Sequence, residues 1–225
     1  MHTTTSMSTY LRDVANDIWE AQHEHPFVRG IGDGTLDTEK FGYWLRQDYL
    51  YLIDYARLFA AGVLRAPDLE TMTTMAQLVH GILHLEMGLH RSYVAEFGIT
   101  ADDLERETKA PTCQGYTDFL LRTATTGDFA ELLGALLPCI WGYAEVGDRL
   151  AERGMPDDER YARWIGMYTS EEFRELGAWC RDLVDRVAAG LPEDARARME
   201  EAFVTSSRYE LAFWEMAWSG ETWLA

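Results

Sequence analysis

The sequence predicts an all-α protein. Apolar residues recur with a period near 3.6 through almost the whole chain, and no long β-branched segment alternates with period two. Only six prolines interrupt the 225 residues. We predict helices at about 7–23, 37–65, 68–97, 111–126, 128–153, 157–169, 170–189 and 192–218.

The breaks between these helices coincide with residues that end helices. They are His25-Pro26, the run from Gly30 to Gly34, Ala66-Pro67, Gly98, Gly127-Asp128, Gly154-Met155-Pro156 and Gly190-Leu191-Pro192. None resembles a linker, and no repeat, low-complexity tract or change of composition divides the chain. The simplest architecture is a single domain over 1–225, a bundle of long antiparallel helices whose sites lie between facing helices.

The glycine-rich run from Gly30 to Gly34 superficially resembles a phosphate-binding loop. No predicted strand precedes it, its third glycine is misplaced for a dinucleotide fingerprint, and no lysine follows in the manner of a P-loop. We therefore predict an ordinary loop, followed by an Asp or Thr cap at the start of the second helix.

The charge balance argues against two classes of partner. Twenty Lys and Arg oppose 38 Asp and Glu, which gives a formal net charge of −18, so the protein repels phosphate backbones and anionic lipid surfaces. We expect no nucleic acid and no membrane partner. The longest nearly unbroken apolar run, 132–144, contains a proline and is shorter than the roughly 20 residues that a bilayer span needs.

The composition, 47% apolar and 12% aromatic, is sufficient to fill a core. The N-terminus lacks the basic region, apolar stretch and cleavage site of a secretory signal, so we expect a cytoplasmic protein. Cys113, Cys139 and Cys180 form no CxxC pair, and we interpret each as a thiol rather than as part of a disulfide or zinc site.

Three reactive side chains occupy apolar stripes of predicted helices: Asp48 on the second, Cys139 on the fifth and Glu210 on the last. A buried cysteine alone is ordinarily a small hydrophobe. A buried carboxylate is retained when it has an ion-pair partner or a functional role. Without a partner, its charged form is costly in a core, or the group takes up a proton. A salt bridge remains open for both carboxylates, yet neither stripe has Lys or Arg one turn away on the same face, which favours function.

Pro138 immediately precedes Cys139 inside a continuous helical pattern. Proline removes a backbone hydrogen bond and clashes with the preceding turn, so we predict a kink that frees the carbonyl of Gly134. Such breaks often accompany a site, although a purely structural kink is equally compatible with the pattern.

Four tyrosines fall on apolar helix faces: Tyr51 and Tyr143 lie one turn beyond the carboxylate and the thiol, and Tyr116 and Tyr168 lie on other helices. Aromatic walls with two carboxylates and a thiol fit a planar heteroaromatic ligand with hydrogen-bonding edges. Taken singly, each tyrosine is better explained by core packing.

Histidines and glutamates offer a second possible site, for a metal. The candidates are His80, His84, Glu86 and His90 on the third predicted helix and the ExxH pair Glu20 and His23 on the first. A ferritin-like di-iron site needs paired ExxH motifs and two further glutamates, but the spacing from Glu86 to His90 is one residue too long for a second ExxH. We interpret these as partly exposed polar positions and predict no metal.

Five segments together carry a family resemblance. They are HPFVRGIGDGTL at 25–36, FGYWLRQDYLYL at 41–52, ALLPCIWGYAEVG at 135–147, WIGMY at 164–168 and FVTSSRYELAFWEMAW at 203–218. By these motifs the chain resembles, along nearly its whole length, the TenA family of aminopyrimidine aminohydrolases, also called thiaminase II, in its cysteine-containing class.

The resemblance implies a haem-oxygenase-like all-α fold without haem, a homotetramer, and no metal or other cofactor. By match to the family's motifs, Cys139 corresponds to the nucleophile and Glu210 to the acid/base. Asp48 corresponds to the residue that holds the exocyclic amine and a ring nitrogen of the aminopyrimidine. The other matching positions are substrate-binding aromatics: Tyr51, Tyr116, Tyr143, Tyr168 and the ring-stacking Phe213.

The implied reaction belongs to thiamin salvage. It converts 4-amino-5-aminomethyl-2-methylpyrimidine to the 5-hydroxymethyl compound and ammonia, and a further activity cleaves thiamin to the same pyrimidine and its thiazole. The expected partner is thus a small molecule, an aminopyrimidine or thiamin. Two alternatives on the same fold are a metal-dependent oxidase, which bound iron would indicate, and a pyrimidine binder without catalysis.

Overall fold

The computed structural model describes residues 5–224, and their side chains except those of residues 85, 86, 89, 92 and 101. Within this part the secondary structure is entirely helical, as predicted, with one π-helical turn at Ile82–Glu86. The α-helices are α1 Met7–Val14, α2 Asn16–His23, α3 Pro26–Gly32, α4 Thr38–Arg65, α5 Leu69–Gly81, α6 Met87–Ala95, α7 Ala101–Arg106, α8 Pro111–Thr126, α9 Phe129–Arg153, α10 Glu159–Tyr168, α11 Glu171–Ala188 and α12 Glu193–Ser219.

Side-chain caps fix where several helices begin. The carboxylates of Asp37 and Asp68 accept from backbone N–H groups in the first turns of α4 and α5, and Ser170 does the same for α11. Thr100 and Asp103 form a reciprocal capping box at α7. The cap predicted at the start of the second helix is therefore confirmed, with Asp37 as the capping residue.

The structure corrects the predicted helices at three places. The first predicted helix is divided at Ala15 into α1 and α2, and the short helix α7 lies where no helix was predicted. The glycine run is not a simple loop, because Gly30 and Gly32 belong to α3. A Cβ on Gly30 would lie 3.1 Å from Leu36, so this glycine allows the chain to fold back closely after α3.

The chain forms two compact units. The first unit consists of the chain up to Leu36 and Ala130–Glu215, and the second of Asp37–Phe129 and the chain from Met216. In the first unit, Trp19, Trp164, Trp214 and Phe203 are among the fully buried aromatic side chains. Trp19 stacks on Phe203 with ring centroids 5.9 Å apart. The single domain over 1–225 stays a prediction.

The second unit is built on α4, which packs against α5, α6 and α8. Its C-terminal segment contributes to the start of α8: the carboxylate of Glu221 accepts from the backbone N–H of Thr112 at 2.9 Å. Tyr43 donates to the backbone oxygen of Glu221, and the indole of Trp223 donates to that of Lys109 at 2.8 Å. These contacts anchor the helix that carries Tyr116.

Helix α9 is long and apolar enough to cross a membrane by length and composition. However, 72% of its apolar window is buried inside the protein. Such burial is typical of the core helix of a soluble protein, so α9 does not support a membrane-spanning role.

Candidate active site

Asp48 lies on α4 with 7% of its surface exposed, as the stripe predicts. Its Oδ2 lies 2.9 Å from Nε2 of His90 on α6, which is 8% exposed. The ring N–H is not aligned with the oxygen, so the contact is a close pair rather than a well-directed hydrogen bond. Asp48 therefore has a buried partner from another helix, and the interpretation of His90 as a partly exposed position was wrong.

Tyr51 and Tyr116 belong to the same unit as Asp48 and pack together. Their ring centroids are 5.1 Å apart, Tyr51 also stacks on Tyr55 at 5.2 Å, and all three are nearly fully buried. Asp48 and Tyr51 lie one turn apart on α4, so the carboxylate and the aromatic cluster share a helix face, an arrangement that suits a flat ring.

Gln47, next to Asp48, is a structural residue that the sequence analysis missed. Its side chain is 1% exposed, donates to the carbonyl of Thr108 at 3.0 Å and accepts from the N–H of Ala110 at 2.8 Å. The side-chain amide of Gln47 thus satisfies two backbone groups of the segment before α8. These two bonds hold that segment against α4. A buried Asp54, paired with Lys109, adds a second anchor to this segment.

Cys139 lies on α9 in the first unit, with Tyr143 one turn later on the same helix. Among the three cysteines it alone is partly exposed, since Cys113 and Cys180 are buried. Burial raises the pKa of the Cys113 thiol to about 12 and also raises that of Cys180. Neither buried thiol therefore supplies a thiolate at neutral pH, which leaves Cys139 as the candidate nucleophile.

Tyr143 and Tyr168 form the aromatic part of this unit. Their ring centroids are 4.9 Å apart, and Tyr168 lies edge-on to Trp164 at 4.6 Å. Gly147 allows the approach of Tyr168 to α9, because a Cβ there would lie 2.9 Å from the Cβ of Tyr168 and 3.3 Å from its backbone. The sequence gives no sign of this role of Gly147, because the close approach of Tyr168 to α9 is visible only in three dimensions.

Glu210 and Phe213 lie one turn apart on α12, 3% and 2% exposed. One turn earlier, Ser206 donates to the backbone oxygen of Ala135 on α9 at 2.7 Å, and Ser207 accepts from the indole of Trp19 at 3.0 Å. Helix α9 continues through Pro138, and the carbonyl that receives the extra donor belongs to Ala135, one residue beyond the predicted Gly134. The predicted kink stays a prediction.

The structure brings Glu20 and His23 together with Glu145, with ligand atoms within 4.8 Å of one another. His23 is 3% exposed, so its interpretation as a partly exposed position was wrong. Two arginines occupy this cluster: Arg12 lies 2.6 Å from Glu145, and Arg149 lies 2.7 Å from Glu20 and 3.0 Å from Glu145. Two guanidinium groups match the two carboxylates, so the donor set carries no spare negative charge for a cation. The arrangement fits an ion-pair network better than a metal site.

The histidines of the third predicted helix do not gather around one point. His80 and His84 are exposed, with ring centroids 4.4 Å apart, whereas His90 is buried against Asp48. The side chain of Glu86 lies outside the described ones. These positions give no support to the iron-dependent alternative.

Comparison with known proteins places this helical chain in a family. The model of the TENA/THI-4/PQQC family matches residues 12–220. The chain belongs to this family. The TENA/THI-4 chain is 45% identical over 221 residues to an aminopyrimidine aminohydrolase from Halalkalibacterium halodurans, a match that covers 97% of this chain and 98% of that protein.

Solved structures agree with the TENA/THI-4 assignment. A TenA homologue from P. horikoshii OT3 superposes with a TM-score of 0.89 at 32% identity, covering 96% of this chain and 100% of that one. A domain with a haem-oxygenase-like fold from Shewanella denitrificans gives 0.74 at 13% identity, covering 94% and 92%. At that identity the likeness shows the fold alone, and it confirms the predicted haem-oxygenase-like architecture.

Proposed function

We propose that the protein is an aminopyrimidine aminohydrolase. It hydrolyses 4-amino-5-aminomethyl-2-methylpyrimidine to the 5-hydroxymethyl compound and ammonia, and it also cleaves thiamin to the same pyrimidine. The observation that carries the proposal is the 45% identity, over almost the full length of both chains, to a relative of that name. The buried carboxylates and the tyrosine pairs on the inward helix faces add chemical support, because they suit a planar heteroaromatic substrate.

In this proposal the two carboxylates and the thiol have separate roles. Cys139 is the nucleophile, Glu210 the acid/base, and Asp48 accepts from the exocyclic amine of the pyrimidine. The aromatic side chains hold the ring, namely Tyr51, Tyr116, Tyr143, Tyr168 and Phe213. The raised pKa values of the two buried thiols support Cys139 as the reacting cysteine.

The reaction follows from these roles in two stages. Glu210 protonates a ring nitrogen, and the Cys139 thiolate adds to the ring carbon next to the one that carries the aminomethyl arm. The protonated amine then leaves the methylene as ammonia, and water adds there and loses a proton. The thiolate is expelled as the ring nitrogen returns its proton to Glu210 and the ring is restored. The chain supplies its own nucleophile and acid, so we propose that it needs no metal or other cofactor.

The test is turnover by the purified protein. Wild-type protein is incubated with the aminomethyl compound and, separately, with thiamin, and the hydroxymethyl product is followed by mass spectrometry. We expect product from wild type and from Cys180→Ala, a matched cysteine control, but not from Cys139→Ala. Absence of product from wild type with both substrates would overturn the proposed function, and near-normal turnover by Cys139→Ala would overturn the mechanism.

We also propose a homotetramer, for which exposed apolar side chains on α5 and on the π-helical turn after it give support. Leu69 and Met72 are 77% and 39% exposed, and Leu83, two heptads beyond Leu69, is 49% exposed. We expect light scattering to give four times the chain mass of 25.7 kDa. A monomer mass would contradict the tetramer, and full assembly of Leu69→Glu would exclude these side chains as an interface.

Two further expectations belong to this proposal. We propose that the protein acts in the cytoplasm. Its strongly acidic charge of −18 disfavours nucleic-acid and anionic-membrane partners. The two compact units unfold as a single domain, which a single cooperative transition in calorimetry tests.

A further inference from the structure

Asp48 forms a buried pair with His90, a residue to which the proposed reaction gives no role. The two side chains are each 9% exposed, and Oδ2 of Asp48 lies 2.9 Å from Nε2 of His90. In the described part of the chain, no Lys or Arg lies within ion-pair distance of Asp48. The imidazole is therefore the group that offers this carboxylate a partner inside the protein.

The π-helical turn at Ile82–Glu86 brings His90 to this position. In a continuous α-helix, at about 100° per residue, His90 would lie about 80° around the axis from His80. The additional residue in a π-helical turn shifts the following residues by about 100°, so the two histidines lie on opposite faces. His80 is accordingly exposed while His90 is buried, with its ring 6.3 Å from that of Trp44.

A single buried carboxylate can turn about two side-chain torsions, and a ligand that it must hold loses affinity when it does so. Contact with His90 fixes Oδ2 and leaves Oδ1 for a donor on the ligand. The present misalignment of the ring N–H is common in unliganded sites, where such bonds tighten when the ligand binds.

We propose that His90 is a positioning residue for the aminopyrimidine: it holds Oδ2 of Asp48 so that Oδ1 accepts from the exocyclic amine. The inference rests on the proposed function and adds to it a residue that acts through Asp48. His90 does not touch the reacting atoms, so it affects binding of the pyrimidine far more than the chemical step.

The test compares two amide substitutions that differ in reach. In His90→Gln the amide nitrogen falls near the position of Nε2, whereas in His90→Asn it stops short. We expect His90→Asn to raise KM for the aminomethyl compound about tenfold with kcat nearly unchanged, since the contact that fixes Oδ2 of Asp48 when the ligand is bound is lost. His90→Gln keeps KM within about threefold of wild type. His80→Asn, at an exposed histidine of α5, serves as the matched control and leaves both constants unchanged.

A double-mutant cycle with Asp48→Asn shows whether the effect passes through the carboxylate. We expect His90→Asn to raise the dissociation constant of the hydroxymethyl product in the wild-type background and to add less than about twofold in Asp48→Asn. If the two substitutions raise the dissociation constant independently, so that their fold-changes multiply in the double variant, the inference is overturned. An unchanged KM in folded His90→Asn would also overturn it.

Two controls separate the possible failures. Absence of turnover by wild type refutes the proposed function, whereas wild-type turnover with an unaffected His90→Asn refutes only the role of His90. Because loss of the partner of a buried carboxylate can prevent folding, the Nε2 resonance of His90 is also followed by nitrogen NMR in wild type. We expect it to shift when the hydroxymethyl product binds, and an unchanged resonance at saturation would overturn the inference.

Discussion

Helices α9 and α12 approach each other so closely at Gly134 that no side chain fits between them. A Cβ on Gly134 would lie 2.4 Å from the backbone oxygen of Met199 and 3.2 Å from its carbonyl carbon. Real Cβ atoms essentially never approach closer than 3.0 Å, and a backbone oxygen cannot swing aside as a flexible side chain does. Gly134→Ala therefore forces apart the two helices that carry Cys139 and Glu210.

The expected cost follows from two opposing terms. Overpacking costs about 1–3 kcal/mol, with rigid backbone at the upper end, and the better helix propensity of alanine returns about 1 kcal/mol. The net loss of unfolding free energy is about 2 kcal/mol, which lowers Tm by roughly 4–8 °C in a protein of this size. The measurement is denaturant unfolding at pH 7, with Tm from calorimetry.

Gly142 offers a matched control on the same helix. It is also buried, but its added Cβ would meet only the Trp19 ring at 4.0 Å. Gly142→Ala is therefore expected to stabilise the protein by about 0.5–1 kcal/mol through reduced backbone entropy. The reasoning is refuted if Gly134→Ala is as stable as wild type, or if the two substitutions destabilise equally.

Three further substitutions test other parts of the structure. Burial acts to raise the pKa of Glu145, but hydrogen bonds from His23 and Arg12 outweigh it and lower the pKa to about 2. This contribution to stability is complete above pH 4.5 and is lost as the pH falls toward 2, so we expect Glu145→Gln to show a shallower acid dependence of unfolding. Gly147→Ala displaces Tyr168 and should raise KM several-fold in steady-state assays. Glu221→Ala removes the cap of α8 and should cost about 1 kcal/mol in denaturant unfolding.

Each of these has a control on the same chain. Acid unfolding of Glu145→Gln as steep as that of wild type would contradict the ion-pair account. Gly166→Ala, where nothing lies within 4 Å of the added Cβ, should leave KM unchanged, and equal effects at Gly147 and Gly166 would contradict the close-approach argument. Glu201→Ala, at an exposed position of α12, should leave stability unchanged, unlike Glu221→Ala.

The inward placement of the carboxylates was predictable because it depends on local periodicity. Asp48 and Glu210 lie on apolar stripes of long helices, and the 3.6-residue period places them inside without knowledge of any other helix. The partner of Asp48 was not predictable in the same way. His90 reaches it only because a π-helical turn changes the helical register, and that turn leaves no signal in the apolar pattern.

A glycine gave one of the errors in the predicted helices, for a related reason. Gly30 suggested a loop, although it lies inside α3, where it permits the backbone to fold back against Leu36. Gly134 and Gly147 likewise mark close approaches between helices. The sequence does not distinguish a glycine that ends a helix from one that lets a neighbouring segment approach the backbone. Only the three-dimensional packing distinguishes them.

The most direct test of the central claim is to measure activity as Cys139 is alkylated by iodoacetamide, with the modified residue identified by peptide mass spectrometry. Cys139 is the one partly exposed thiol of the three, so we expect it to react first. The account predicts that the fraction of activity lost equals the fraction of Cys139 modified. It also predicts that bound hydroxymethyl product slows the alkylation of Cys139 and, with it, the inactivation. Full modification of Cys139 with turnover intact would contradict it.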